Sequence, residues 1–202
     1  MYQLNGKKIN IEAAIAIDGI QYPAGWFSDP LARDAVGITY APDPVRPDDN
    51  FYIVTANDDG SYSAAPRPTE DARAVVWRRI QAHRDSLYEA GCEVAPHGWF
   101  HNDVQSRSRW ERMVNRATAE GLADTDPYLI GGAQVQWKTM RGAFIPLTAG
   151  IIRAVVAAFE VQEAAIFIAA ETHRTEVYDM NFGEVAEYDH LIGWPAVYVP
   201  EA

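Results

Sequence analysis

The sequence predicts an α+β fold: a β-hairpin-rich N-terminal unit, followed by a small helical domain with an inserted β-hairpin and one long helix. Three observations predict it. Turn signals flanked by β-branched and aromatic runs crowd the first part of the chain. From Thr69 onward, apolar residues recur at helical spacing. Pro66 and Pro68 separate the two styles. The expected division is therefore a β-rich module at 1–68 and a helical domain at 69–202 that ends in an irregular tail.

The elements follow in order. Tyr2 to Leu4, Asn5-Gly6 and Ile9 to Ile11 read as a hairpin, because Asn-Gly supplies the positive φ angles of a tight turn. Ser28-Asp29-Pro30 opens a short helix with Pro30 at its first position, and Gly37 ends it. Pro42, Pro44 and Pro47 mark an extended linker. Phe51 to Thr55, the turn Asn57-Asp58-Asp59-Gly60 and a return from Tyr62 form a second hairpin. Thr69-Glu70-Asp71 starts a helix with acids in its first turn. Val76, Ile80, His83 and Leu87 carry that helix toward Ala90, and Gly91 stops it. A second helix runs from Asp103 or Ser106 to Glu120, ending at Gly121, and Gly131-Gly132 lets the chain turn after it. Trp137-Lys138-Thr139 and Ala143-Phe144-Ile145 flank Arg141-Gly142 as the inserted hairpin.

Thr148 caps the longest helix. Ile151, Ile152, Val155, Val156, Phe159, Ile166, Phe167 and Ala170 trace one face of it. Extended to Val177, it has ~30 residues and a length of roughly 45 Å. A heptad register through Ile152, Val155, Phe159 and Ile166 also brings Gln162, His173 and Glu176 onto the seam. A helix packed in a small bundle is therefore expected ahead of a coiled coil, with a short self-association seam as the alternative. Val185 to Ala202 reads as irregular, with a strand candidate at Ala196 to Val199.

Composition narrows the function classes. A formal net charge of −11 argues against a general nucleic-acid binder or an electrostatic membrane anchor. The charge is uneven: −5 over residues 1–70, +2 over 71–116 and −8 over 117–202. The Arg-rich middle reads as a solvated helix face, or as a docking place for an acidic partner or for this chain's own acidic helix. One cysteine, Cys92, excludes a disulfide scaffold. The start Met-Tyr-Gln-Leu-Asn-Gly carries no signal-peptide pattern, and Arg153, Glu160 and Glu163 interrupt the longest apolar stretch.

No motif points to catalysis or to a cofactor. Gly131-Gly132 lacks the Lys-Ser or Lys-Thr of a phosphate loop. His97 and His101, with Asp103 near, have a metal-like spacing, but Pro96 and Gly98 break the helix that would align them. His83, His173 and His190 stand alone in the sequence. Cys92 lies beside Glu93, which disfavours thiolate. Glu160, Glu163 and Glu171 read as a solvated face. The expectation is no catalytic residue, no cofactor, no metal and no enzymatic activity. Aromatic residues at element boundaries are the remaining candidates. Trp26, Phe27, Trp99, Phe100, Trp137 and Phe144 are expected as core or interface anchors.

Several short motifs occur in a set order. Gly98-Trp99-Phe100-His101-Asn102-Asp103 is followed by Ser106. Trp137-Lys138-Thr139, Gly142-Ala143-Phe144-Ile145-Pro146-Leu147-Thr148-Ala149 and the alanine-rich helix come next. On these residues, the segment from Ala82 to Val177 resembles a phage-encoded family whose domain has no assigned function, found near phage tail-fibre genes. Residues Leu4-Asn5-Gly6, Gly19-Ile20-Gln21-Tyr22-Pro23, Trp26, Gly37-Ile38-Thr39, Asp43 to Asp49, Phe51-Tyr52 and Asp59-Gly60 are similar to N-terminal regions of short proteins encoded beside tail fibres. Gly25 stands where that pattern carries a polar residue such as Asn.

The resemblance implies a virion protein of the tail, baseplate or tail fibre that acts through protein–protein contacts. Its implied partners are tail or tail-fibre proteins, with neither nucleic acid nor membrane among them. It would be made in the host cytoplasm and carried on the virion tail, and analogy with tail fibres implies a trimer. The alternative is a tail-fibre assembly chaperone released before the particle is complete.

Overall fold

The computed structural model describes residues 1–200. The fold is mixed α+β, with antiparallel hairpins ahead of the helices. Two compact units form, Met1–Ala72 and Arg73–Ala202, and the boundary falls in the first turn of a helix.

In the N-terminal unit, β1 (Tyr2–Leu4) and β2 (Lys7–Ile9) close around Asn5-Gly6, whose φ angles are 50° and 76°. The expected return strand at Ile9 to Ile11 is corrected: pairing resumes directly after the two-residue turn, so Tyr2 faces Ile9 and Leu4 faces Lys7. A hairpin absent from the expectation, β3 (Ile15–Ile17) and β4 (Ile20–Tyr22), uses Asp18-Gly19 in the same way. A 3₁₀ turn at Trp26–Ser28 leads into α1 (Pro30–Ala35), where Asp29 accepts a hydrogen bond from the Leu31 amide. Gly25 has φ 75°, a conformation that Asn also tolerates, so its departure from the resembled pattern leaves the backbone unchanged. β5 (Thr39–Tyr40) adds to β1, and β6 (Tyr52–Ala56) pairs with β7 (Tyr62–Pro66). Phe27, Ile38 and Phe51 are buried here, with Tyr22 against Phe27 at 4.9 Å between ring centroids. The Arg33 guanidinium donates to the Phe27 and Ser28 carbonyls and lies over the Tyr2 ring, tying α1 to the sheet.

The C-terminal unit contains most of α2 (Thr69–Tyr88). β8 (Cys92–Val94) and β9 (Gly98–Phe100) follow as a second unexpected hairpin. Next is α3 (Val104–Ala119), which starts where Asp103 accepts from the Gln105 and Ser106 amides at 3.0 Å each. Gly131-Gly132 is the turn of a small hairpin, β10 (Leu129–Ile130) with β11 (Ala133–Gln134). The inserted hairpin forms as β12 (Gln136–Lys138) and β13 (Phe144–Pro146). Thr148 caps α4 (Ala149–Asp179), which has 31 residues. A short α5 (Phe182–Ala186) has a complete capping box between Asn181 and Glu184, just ahead of the segment from Val185 that the sequence presents as irregular.

Two further expectations need correction. Ala196 to Val199 forms no strand. The segment is held by single contacts: the Tyr198 amide donates to the Ala90 carbonyl, its hydroxyl to the Met140 carbonyl, and Gln162 to the Ala196 carbonyl. On α4, Phe167 does not share the buried face of Ile152, Val155, Phe159, Ile166 and Ala170; it is exposed.

The core of this unit gathers Cys92, Val94 and Phe100 from the β8–β9 hairpin, Trp110, Met113 and Ala117 from α3, and Ile152, Val155 and Phe159 from α4. Trp110 is its centre, fully buried between Phe100 at 5.6 Å and Trp137 at 4.3 Å.

The α3 cap gives a pH prediction. Hydrogen bonds from the Ser106 hydroxyl and amide, largest first, hold the Asp103 carboxyl below the usual range. A lowered folded value stabilises the protein above the unfolded carboxylate value, and that stability is lost as pH falls through the lowered one. Asn still caps. Asp103→Asn should therefore leave stability at neutral pH within roughly 0.5 kcal/mol, while flattening the loss of stability below about pH 4 in urea titrations. An unchanged acid limb would contradict this account.

Candidate functional site

Of the six aromatic anchors, Phe27 and Phe100 are core residues. Trp99 is partly exposed, with its ring 6.1 Å from Tyr198. Trp137 is half-buried, with one edge on Trp110. Trp26 and Phe144 are exposed, Phe144 at 66%. Burial had sorted these residues in a way their type could not reveal, because a boundary aromatic faces whichever side its strand or turn presents.

Trp137 and Phe144 border one depression, although they project from opposite faces of the β12–β13 hairpin. On the β12–β13 ladder Lys138 stands directly opposite Phe144, and Trp137 opposite Ile145. Side chains alternate along a strand, so Phe144 and Lys138 project to one face while Trp137 turns toward Trp110. A depression of about 400 Å³ lies there, lined by His101, Arg109, Trp137, Lys138 and Phe144, among others. Arg109 also lines a neighbouring depression of about 360 Å³ with Val104, Ser108 and Arg112, along the outer face of α3. Arg109, Arg112 and Lys138 make no ion pair among the described residues, and Val104 is exposed. The nearby Asp103 carboxylate is occupied by Ser106 and two amides. The surface is thus aromatic and cationic on a chain of net charge −11. The sequence marks the Arg-rich segment 71–116 as a whole, without singling out Arg109 or Arg112, and Lys138 lies outside it. Arg109 and Arg112 are i, i+3 on α3, but Lys138 joins them only through the fold.

Part of the basic middle segment does meet this chain's own acidic helix. Arg107 pairs with Glu163 of α4, so Glu163 is not a merely solvated carboxylate.

The histidines correct a second reading. His83, His173 and His190 do not stand apart: they gather around Trp194, with ring centroids 5.1 Å from His83 and 5.0 Å from His173. The Tyr188 hydroxyl donates to Glu176 at 2.5 Å and accepts from His173 Nδ1 at 2.6 Å. Burial, then the Glu176 carboxylate, pushes the Tyr188 phenol up. Burial, then Arg79 and His83, pushes His190 down. These contacts clamp the segment from Tyr188 to Pro195 along α4 beside a groove of about 610 Å³. Only the fold shows them, since the residues come from three separate stretches.

His97 lies in the β8–β9 turn and His101 just after β9, and among the described residues no group of three or more His, Cys, Asp or Glu is placed to hold a metal. Cys92 is buried, which pushes its thiol up to about 12. Among the described residues no helix is long and apolar enough to cross a membrane.

A family model described as a domain of unknown function (DUF4376) matches residues 71–190, a span that includes the whole aromatic and cationic surface. No curated protein and no solved structure matches the chain.

Proposed function

Since the chain belongs to this family of unknown function, its role rests on its own surface, and we propose that it is a bacteriophage tail or tail-fibre-associated virion protein that works through protein–protein contacts. The observation that carries the reading is the exposed Phe144 and half-buried Trp137 set among Arg109, Arg112 and Lys138. Aromatic and arginine side chains concentrate binding energy at interfaces, and three cations without carboxylate partners favour an acidic partner surface. The phage setting comes from the motif order around Gly98 to Asp103, Trp137 to Thr139 and Gly142 to Ala149.

Two measurements test the proposal. Mass spectrometry of purified phage particles should find the chain at fixed copy number. Its absence from particles, with abundance in the lysate, would replace this reading with that of an assembly chaperone. Pull-down of tail proteins should weaken by about 2 kcal/mol in affinity, roughly 30-fold, for Phe144→Ala. Arg109→Glu should lower the association rate and its dependence on salt. Phe144 is exposed, so circular dichroism should be unchanged; full capture by both variants would exclude this surface.

A further inference from the structure

The solvent face of α4 is apolar where a surface helix should be polar. Ile152, Val155, Phe159, Ile166 and Ala170 fill the core side. On the opposite side Ala154, Ala157, Val161, Ala164 and Ile168 are exposed, Val161 at 70% and Ile168 at 64%, and the row continues through Glu171 to Thr175 and Tyr178. Their spacing alternates three and four, the a and d pattern of a coiled-coil seam. This register is distinct from the one through Ile152 and Phe159, which the core consumes. A helix apolar on both sides is a helix covered on both sides.

We propose that a second copy of this chain covers it, with the two α4 helices antiparallel about a two-fold axis at the level of Ile166. The seam is self-complementary in that arrangement. Ala164 faces Ile168 of the second copy, Ala157 faces its Thr175, and Ala154 faces its Tyr178, so each of these layers sets a small side chain against a larger one. A parallel pairing would stack Tyr178 on Tyr178 and Ala154 on Ala154, alternately too wide and too empty. The flanks agree. Ala158, Ala165 and Thr172 line one edge, small enough for close approach, while Glu160, Phe167 and Arg174 line the other. About the same axis Glu160 meets Arg174 of the second copy, twice by symmetry, and Phe167 meets its counterpart. The one seam position that carries a charge is Glu171, opposite Val161, and its carboxylate is drawn aside to Arg174 at 3.3 Å. The contact from Ala154 to Tyr178 is about 36 Å long.

Sedimentation equilibrium of the full chain should give a dimer. Ile168→Glu, which places an unpaired charge against Ala164, should raise the dimer dissociation constant about 100-fold or more with an unchanged circular dichroism spectrum. Glu160→Arg and Arg174→Glu should each weaken the dimer, and the double variant should be weakened by less than the two together, the residual loss being that of the contacts of Arg174 with Glu171 and Trp77. Ala165→Cys, beside the axis, should cross-link between copies through a short bismaleimide, whereas Ala154→Cys should not. A monomer at about 100 µM would overturn the proposal, as would a dimer indifferent to Ile168→Glu. Cross-linking at Ala154→Cys would overturn it too, since only a parallel pair or trimer brings those positions together.

Discussion

Trp110→Ala is expected to destabilise the C-terminal unit by about 3–5 kcal/mol, read as a lower urea midpoint. The indole is fully buried and stands between Phe100 and Trp137, with Met113 and Ala117 a turn or two along the same face of α3. Removal leaves a cavity that neither neighbour can fill, because each is fixed by its own strand. Trp110→Phe separates packing from polarity. The indole nitrogen has no hydrogen-bond partner, so phenylalanine loses only volume and should cost about 1–2 kcal/mol. Equal losses for Ala and Phe would mean that the aromatic stack is not what holds the unit together.

Arg107→Ala should cost about 2–3 kcal/mol by the same measurement. Its Nε donates to the Asn102 carbonyl at 2.9 Å and to the Asn102 side-chain oxygen at 2.7 Å. One Nη donates to the Tyr88 carbonyl at 3.1 Å, and the other pairs with Glu163. A single guanidinium therefore joins the end of α2, the turn before α3, and α4. Without it, buried Asn102 keeps an acceptor that no solvent reaches. Arg107→Lys should recover less than half of the loss, because an ammonium cannot donate in several fixed directions at once. A lysine variant as stable as the parent would show that the charge opposite Glu163 matters and the fork does not.

Such residues mark where sequence reading stops. Asn5-Gly6, Asp29-Pro30, Asp103 and Thr148 announced their elements because a cap or tight turn is built from neighbours in the chain. Asp18-Gly19 and Gly131-Gly132 carried the same signal and mark hairpins, although the strands beside them are only two or three residues long. Asn181 with Glu184 likewise spells a helix start just ahead of the segment from Val185. The candidate surface was half legible: Trp137 and Phe144 are named by type, while Arg109 and Arg112 on α3 meet Lys138 of β12 only through the fold.

What the sequence determined by itself is the α+β class, the order of its main helices and hairpins, and the long α4 with its cap. Those depend on backbone turns and on periodicity, which are local. What the tertiary structure alone decided is direction. It placed Phe100 inward and Phe144 outward, drew three distant histidines to Trp194, and divided the two apolar stripes of α4 between core and solvent. Periodicity identifies a helical face, but only the elements packed against that face determine whether it is buried.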